Sequence, residues 1–391
     1  HLIGTSRETS ILDAEADFDK ESRVIKIVEE CENIKVANFT ITGGNASSAG
    51  CIGGGGILVT HPDLEYVYDG PVSPVNAVFE NLIVTDNTSV AGSGISIWRV
   101  SGPTLSNLII QDNTSEHYGG GLMIFSATAS VTDVIVTGNN CYRNDSFGGG
   151  MIINNSEATL TNVTVTDNTA SSGGGIFILD TDATLINLTV SGNTATAFGG
   201  GLLVGANTNP TLTNSIIWGN NPNQIQGFGT PTITYSDIQG GWNGVGNIDS
   251  DPLFCNSDSG DFTLTENSPC IGTGRNGTNM GAFDVECEAI LSTDKDVIPL
   301  QYVLHQNYPN PFNPTTQIRY DLPEDALVSI SIYDVMGRRI KSLSNANQIA
   351  GYHSLQWDAT NDIGEGVSAG MYIYTIQAGG YRATKKMVLL K

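Results

Sequence analysis

Acidic side chains dominate the groups in this sequence that could do chemistry. Asp180 and Asp182 are two residues apart, so an extended chain would place both on one side. Glycosidases use two carboxylates roughly 5–10 Å apart. A solvated acidic surface explains the pair without any chemistry, and we favour that interpretation. His61 and His117 show no Ser-His-Asp or metal-ligand spacing, which indicates surface turn positions.

A second acidic group lies in the segment NIDSDPLFCNSDSGD. Carboxylate oxygens that are close together bind Ca²⁺. The spacing differs from that of an EF-hand loop, which favours a turn-rich segment without metal. The sequence thus predicts no cofactor. A structural Ca²⁺ is the alternative, with four candidate ligands: Asp249, Asp251, Asp258 and Asp261.

Charge and cysteine content limit the partners. The chain has 391 residues and a net charge of −23, and residues 36–290 carry 22 acidic and three basic side chains, whereas residues 291–391 carry nine of each. Such an acidic stretch repels nucleic acid and anionic lipid, and no apolar run is long enough to span a membrane. The six cysteines are compatible with buried thiols or with one or two disulfides. Cys255 and Cys270 are one candidate pair.

A repeat organises the acidic part. Six segments end in an asparagine that advances by 26, 26, 29, 25 and 27 residues, and each is followed by a glycine cluster and an apolar alternation such as GGGIFI. A period near 26 with two strand signals and no helical spacing predicts a solenoid of stacked coils. The segments are NLIVTDN (81–87), NLIIQDN (107–113), DVIVTGN (133–139), NVTVTDN (162–168), NLTVSGN (187–193) and NSIIWGN (214–220).

Alternation predicts which side chains form the core of the solenoid. Val165 is expected to stack on Val190, and Ile176 and Ile178 on Leu202 and Val204. At the recurring corner, asparagine both tolerates left-handed backbone angles and bonds to the asparagines of neighbouring coils, while glycine adopts angles that other residues avoid. No strand-to-helix step follows GGG, which argues against a phosphate-binding loop.

Two departures from the repeat are candidate binding features. Glycine clusters at 56 and 94 are 38 residues apart, so a surplus loop is expected near residues 60–75. Its acidic and aromatic side chains suit contact with sugar or protein. We favour an idle insertion, with the binding loop as the alternative. Tyr118, Phe147 and Phe198 each precede a glycine cluster, and we favour a corner ladder over a sugar platform. The loop residues are Asp63, Glu65, Tyr66, Tyr68 and Asp69.

Residues 1 to about 287 resemble right-handed parallel β-helix proteins of the pectin-lyase-like type. The similarity lies in HLIGTSRETSILDA, FTITGGN, NSIIWGN and the closing YSDIQGGW, GNIDSDPLF and DFTLTENSPCIGTG. It implies that the chain begins inside the helix and leaves an open strand edge, which would allow head-to-tail assembly of copies. The fold type includes polysaccharide lyases, which need an Arg or Lys base. The candidates Arg99, Arg143 and Arg275 lie in no recognisable signature.

From about residue 300 the sequence changes to about seven alternating strands, which predicts a small immunoglobulin-like sandwich. The segments NYPNPFNPTT, IYDVMGRRI, SAGMYIYTI and KKMVLLK closely resemble the type IX secretion C-terminal sorting domain. The resemblance implies export to the surface of a Gram-negative bacterium and cleavage within the linker 288–300. The sorting signal would include Gly370, Tyr372, Lys385, Lys386 and Val388.

The sequence therefore predicts an all-β chain: a right-handed parallel β-helix over residues 1–287, a linker 288–300 and a sorting domain over 301–391. Its expected function is that of a secreted structural or adhesive surface protein. The expected partners are the type IX machinery, polysaccharide or other surface proteins, and further copies of the chain in an oligomer or filament. The alternative is a polysaccharide lyase or glycosidase on the solenoid face.

Overall fold

The chain forms two compact units, residues 1–290 and 291–391. The computed structural model describes residues 1–14, 22–28, 33–47, 53–60, 73–288, 301–307 and 310–390. The first unit is a solenoid in which three parallel sheets run along the stack of coils. Each full coil passes through sheet 1, sheet 2 and sheet 3 in that order before it enters the next coil. The third β segment per coil, in sheet 2, was not predicted.

Sheet 1 has 14 strands among the described residues. They are Leu2–Ile3, Ile11–Asp13, Ile34–Thr42, Ser73–Pro74, Ala77–Thr85, Val100–Gln111, Thr128–Thr137, Glu157–Thr166, Thr184–Ile186, Thr189–Ser191, Thr211–Thr213, Ile216–Trp218, Thr232–Thr234 and Asp237–Ile238. Sheet 2 consists of Asn45–Ala46, Thr88–Ala91, Thr114–Tyr118, Asn140–Cys141, Thr169–Ser172 and Thr194–Phe198. Sheet 3 consists of Ile25–Val28, Ile57–Thr60, Ile95–Trp98, Leu122–Phe125, Met151–Asn154, Ile176–Leu179, Leu202–Val204 and Ile225–Gly227.

Aliphatic ladders fill the interior, as the alternation predicted. Val165 pairs with Val190 in parallel register, and both are at most 1 % exposed. Ile176 pairs with Leu202 in the same way on sheet 3. Because each coil places its apolar side chains on those of the next coil, the core is continuous along the stack.

A second ladder, made of asparagine amides, lies at the corner between sheets 1 and 2. Each amide nitrogen donates to the amide oxygen of the next coil, for example Asn139 to Asn168 at 3.0 Å and Asn168 to Asn193 at 3.0 Å. Nearly all of these amides are inaccessible to solvent, so their hydrogen bonds are made within the protein. The ladder comprises Asn87, Asn113, Asn139, Asn168, Asn193 and Asn220, and Gln224 accepts the last bond at 2.8 Å.

The expectation that one asparagine both bonds and adopts the left-handed angle was wrong. The left-handed residue is the one before the ladder asparagine, such as Asp167 with φ 56° or Gly192 with φ 68°. A separate outer set, including Asn162 and Asn187, also has positive φ and bends each long strand of sheet 1. The side chain of each ladder asparagine points inward and bonds to its neighbours, and the preceding residue adopts the left-handed backbone angle of the turn.

The glycine clusters have distinct steric reasons at each position. Gly173, the first of its cluster, has φ 64°. A Cβ on Gly174 would lie 2.4 Å from the carbonyl oxygen of Thr194 in the next coil, and one on Gly175 would lie 3.0 Å from the amide of Asn193. The backbone N–H groups of Gly174 and Gly175 donate to carbonyls of the next coil, so they are not available to a phosphate.

The end of the β-helix is covered by its own chain. Asn247 donates to the carbonyl of Ile233, its amide oxygen accepts from Ser236 N, and Tyr235 N donates to the carbonyl of Val245. A second copy that added a strand here would have to displace these bonds. Head-to-tail assembly stays a prediction.

The segment that follows folds back onto the outer face of sheet 1. It contains the strands Phe254–Asn256, Asp261–Thr265 and Val285–Cys287 and the 3₁₀ turns Ser257–Ser259 and Arg275–Gly277. Ala282 N donates to Thr189 Oγ1 at 3.0 Å, and Met280 packs with Ile216. Thr189 and Ile216 point away from the interior, yet this cover leaves them at most 1 % exposed.

The cysteine pairing suggested for Cys255 and Cys270 was wrong. Cys255 is bonded to Cys287, with a Cα separation of 6.1 Å. The two cysteines lie on the strands at either side of Asp261–Thr265. Cys270 is instead a buried thiol whose Sγ lies 3.2 Å from Oδ2 of Asp237.

Asp237 gives the β-helix a specific pH dependence. The carboxyl is inaccessible to solvent, and burial raises its pKa from 3.8 to about 6. Between about pH 4 and pH 6 the folded chain keeps this proton while the unfolded chain loses it. The free energy of unfolding therefore falls as the pH rises through this window, by up to about 3 kcal/mol.

We expect Asp237→Asn to remove the fall in the free energy of unfolding between about pH 4 and pH 6. The variant should melt at a higher temperature than the wild type at pH 7.5, and the two should melt alike at pH 4. Asp258→Asn, which changes an exposed carboxylate in the segment that folds back onto sheet 1, should shift the melting temperature little at either pH. A destabilised Asp237→Asn at pH 7.5 would contradict the assignment.

The second unit is the antiparallel sandwich predicted for the C-terminal residues. One sheet contains Val303–Leu304, Thr316–Leu322 and Gly351–Trp357, and the other contains Ala326–Asp334, Arg339–Gln348, Gly370–Ala378 and Tyr381–Leu389. The two sheets enclose one apolar core in which Trp357, Tyr320 and Tyr374 are fully buried.

Candidate functional site

A groove of about 830 Å³ lies where sheet 1 meets the turns that lead into it from sheet 3. Its floor is a column of hydroxyl side chains in parallel register on successive coils. These side chains point outward because their strand neighbours, such as Leu160, are buried in the core. The column consists of Thr104, Ser130, Thr159 and Thr184.

The groove crosses successive coils from Gly102 to Asn207, which at the usual strand spacing is roughly 19 Å. Its described lining carries hydroxyl, amide, carboxylate and small apolar groups. A polar channel of this length suits an extended, hydroxyl-rich polymer better than a compact small molecule.

Three carboxylates line the groove: Glu157, Asp180 and Asp182. Thr159 pairs with Thr184, so Glu157 and Asp182, two residues before each, lie on neighbouring coils. The sequence pair Asp180 and Asp182 lies within one turn instead, where Asp182 accepts from Asn209 N at 2.7 Å. Sequence reasoning missed Glu157, because its neighbour across the coils depends on the length of the turn at 180–183.

The predicted metal ligands are not gathered into a site. Asp251 accepts from Leu253 N and Asp261 from Thr263 N, each within a local turn, whereas Asp249 accepts from Gly240 N, nine residues earlier. Asp258 is exposed in a 3₁₀ turn. Within the described ranges, no three His, Cys, Asp or Glu side chains are placed to hold a metal ion. Ca²⁺ binding stays a prediction.

The other predicted residues divide into two groups. Asp63, Glu65, Tyr66, Tyr68, Asp69 and His61 lie outside the described residues. Tyr118, Phe147 and Phe198 do share one column, with Ser172 between the last two. Tyr118 stacks on Phe147 with ring centroids 6.2 Å apart. His117 contacts Asp145 at 3.6 Å on the surface nearby.

The predicted sorting residues meet on the last two strands of the sandwich. Gly370 pairs with Leu389, and Met371 pairs with Val388. Tyr372 is buried and donates to the carbonyl of Ser368 at 2.6 Å.

Residues that precede the strand Thr316–Leu322 hold the last strand of the sandwich in place. Val388 N donates to Oδ1 of Asn310 at 2.9 Å, and Phe312 N donates to the carbonyl of Val388 at 3.0 Å. The backbone carbonyl of Lys386 accepts from Gln306 at 2.8 Å. Lys386 is exposed and Lys385 is partly exposed, so both side chains are accessible to solvent.

Comparison with protein families accounts for both units. Residues 24–217 match the right handed beta helix region, and residues 306–390 match the secretion system C-terminal sorting domain. The chain is a right-handed β-helix protein with a type IX sorting domain. The sorting domain implies interaction of this β-helix protein with the type IX machinery and export to the cell surface or the extracellular space.

Two solved structures resemble parts of the β-helix protein. Dimeric latent PorU from Porphyromonas gingivalis is 24% identical with a TM-score of 0.19, over 23% of this chain and 9% of that chain. PorZ of the same bacterium, an essential surface component of its type IX secretion system, is 17% identical with a TM-score of 0.18, over 25% and 13%. The β-helix protein thus spans about a tenth of either. No curated protein matches its sequence.

The described part of the β-helix protein contains no helix with the length and apolarity that a membrane crossing requires.

Proposed function

We propose that this chain is an adhesive surface protein, exported by type IX secretion, whose β-helix binds an extended polysaccharide in the sheet 1 groove. The observation that carries the proposal is the column Thr104, Ser130, Thr159 and Thr184, which repeats hydroxyl groups at the coil spacing. A polysaccharide that runs along the solenoid axis meets equivalent hydrogen-bond donors and acceptors on each coil.

The rigidity of the scaffold supports an adhesive role. Coils held by buried aliphatic and amide ladders keep the hydroxyl column in fixed register without a ligand. Preorganised groups lose little entropy when they bind. The sorting domain delivers such a surface to the outside of the cell, where polysaccharides are found.

A glycosidase is the second candidate, favoured by Glu157 and Asp182 on neighbouring coils of the groove. Retaining enzymes place two carboxyl groups about 5–5.5 Å apart, close to one strand spacing. Under this alternative one carboxyl group donates a proton to the leaving oxygen and the other attacks the sugar.

Binding and cleavage are separated by incubating the purified full chain with a panel of polysaccharides and measuring retention and new reducing ends independently. We expect retention without new reducing ends, and weaker retention when Thr159 and Thr184 are both replaced by bulky lysine. Release of reducing ends that Glu157→Gln abolishes would establish the glycosidase instead. A panel that is neither retained nor cleaved would contradict both.

A further inference from the structure

A second surface of the β-helix, separate from the groove, carries a cluster of aromatic rings. It lies on the outer side of sheet 3 and on the adjoining end of sheet 2. We call it the aromatic face; it consists of Trp98, Tyr118, Phe125, Phe147, Phe177 and Phe198.

The aromatic face covers a layer of apolar side chains that point away from the solenoid interior. Met123, Ile152, Phe177 and Leu203 pair in register along sheet 3, yet they are only 2–8 % exposed. The flanking rings pack against them. The outer face of this sheet is therefore apolar, unlike the hydroxyl-lined outer face of sheet 1.

The ring column ends in exposed aromatic rings. Phe147 covers one side of the Tyr118 ring, with the two planes 10° apart. In the preceding coil, the described residue that pairs with Tyr118 is Ala91, whose side chain is small. Tyr118 is 42 % exposed, and Phe198, at the other end, is 55 % exposed. Each end offers an aromatic ring on which a further flat group could stack.

Hydrogen-bonding groups border the Tyr118 end. Arg143 lies 3.6 Å from Asp145 and 3.8 Å from Glu116, and His117 lies 3.6 Å from Asp145. Tyr142, on the same coil as Arg143, is 54 % exposed. Among the six asparagine-ended segments the spacing from Asn139 to Asn168 is the longest, at 29 residues, and the chain between these two residues carries Tyr142, Arg143 and Asp145.

Exposed rings beside donors and acceptors match the chemistry of pyranose sugars, which have an apolar C–H face and polar edges. The charge of the β-helix narrows the class, because residues 36–290 carry 22 acidic and three basic side chains. A polyanion would be repelled. We propose that the aromatic face binds an uncharged polysaccharide, with sugar rings stacked on Tyr118 and Phe198.

Affinity electrophoresis of the full chain tests this proposal in gels that contain hydroxyethyl cellulose, xyloglucan, galactomannan or, as the anionic comparison, polygalacturonate. We expect at least one neutral polymer to retard the wild type, and polygalacturonate not to. The double variant Tyr118→Ala/Phe198→Ala should bind the retarding polymer about tenfold more weakly, because it removes both rings on which sugars would stack.

Phe228→Ala is the control, because Phe228 is an aromatic residue 89 % exposed that follows sheet 3 in the coil after Phe198 and lies outside the column of Tyr118, Phe147 and Phe198. It should bind like the wild type, and all variants should melt within a few degrees of it. The groove variant Thr159→Lys/Thr184→Lys separates the two sites. If this variant loses binding while the Tyr118/Phe198 variant binds like the wild type, binding belongs to the groove alone and this proposal is overturned.

Failure of every neutral polymer to retard the wild type would also overturn it. So would sedimentation that shows a wild-type dimer and a monomeric Tyr118/Phe198 variant, since the face would then be an interface between copies.

Discussion

Replacing Asn168 by alanine is expected to lower the free energy of unfolding of the β-helix by roughly 3–6 kcal/mol. The change removes four hydrogen bonds: two that Asn168 Oδ1 accepts from Asn139, and two that its amide donates to the carbonyl of Val136 and to Asn193. Each buried group left without a partner costs about 1–3 kcal/mol. Water cannot replace these bonds, because Asn168 is inaccessible to solvent.

Chemical denaturation measures this loss, and hydrogen exchange should show faster exchange in the coils on both sides of residue 168. Asn144→Ala is the matched control, because Asn144 is exposed on a turn of the preceding coil. Its stability should change by less than about 0.5 kcal/mol. Equal effects of the two substitutions would mean that the amide ladder does not hold the coils together.

Replacing Gly174 by alanine is expected to lower the free energy of unfolding of the β-helix by about 3 kcal/mol. The added Cβ would lie 2.4 Å from the carbonyl oxygen of Thr194 and 2.8 Å from that of Gly200. Both oxygens belong to the backbone of the next coil, so a side chain cannot rotate away to relieve the contact. The coils must separate locally, which breaks backbone hydrogen bonds and leaves space in the core.

Thermal unfolding of the full chain tests this second prediction. The comparison is Gly366→Ala in the sorting domain, where a Cβ would meet nothing within 4 Å. That variant should unfold like the wild type. A Gly174→Ala protein as stable as the wild type would show that the glycine clusters serve no packing purpose at their second position.

Much of the β-helix was predictable because its determinants are local and repeat. The period near 26 predicted stacked coils, and alternation assigned Val165 and Val190 to the interior, where they pair. Sheet 2 escaped prediction because segments such as Thr169–Ser172 are short, polar and without alternation. Their strand geometry depends on hydrogen bonds to neighbouring coils.

The candidate sites were less accessible to sequence reasoning. Glu157 and Asp182 become neighbours only through the register between Thr159 and Thr184, which the intervening turn decides. Phe177 lies on sheet 3 and does not share the sequence position, just before a glycine cluster, that marks the Tyr118 column. It still stacks on Phe147, with ring centroids 5.1 Å apart, because sheets 2 and 3 meet at that corner. The disulfide between Cys255 and Cys287 likewise depends on how a non-repeating segment folds back.

The sequence by itself determined the coil, its aliphatic and asparagine ladders, and the presence of a type IX sorting domain, since each depends on a pattern within one period or one motif. Only the tertiary structure decided which outward side chains stand together: the hydroxyl groove on sheet 1, the aromatic face on sheet 3, and the cover over Thr189 and Ile216. The physical reason is that these contacts join different coils or distant segments, whose relative placement is set by turn lengths and chain reversal rather than by local periodicity.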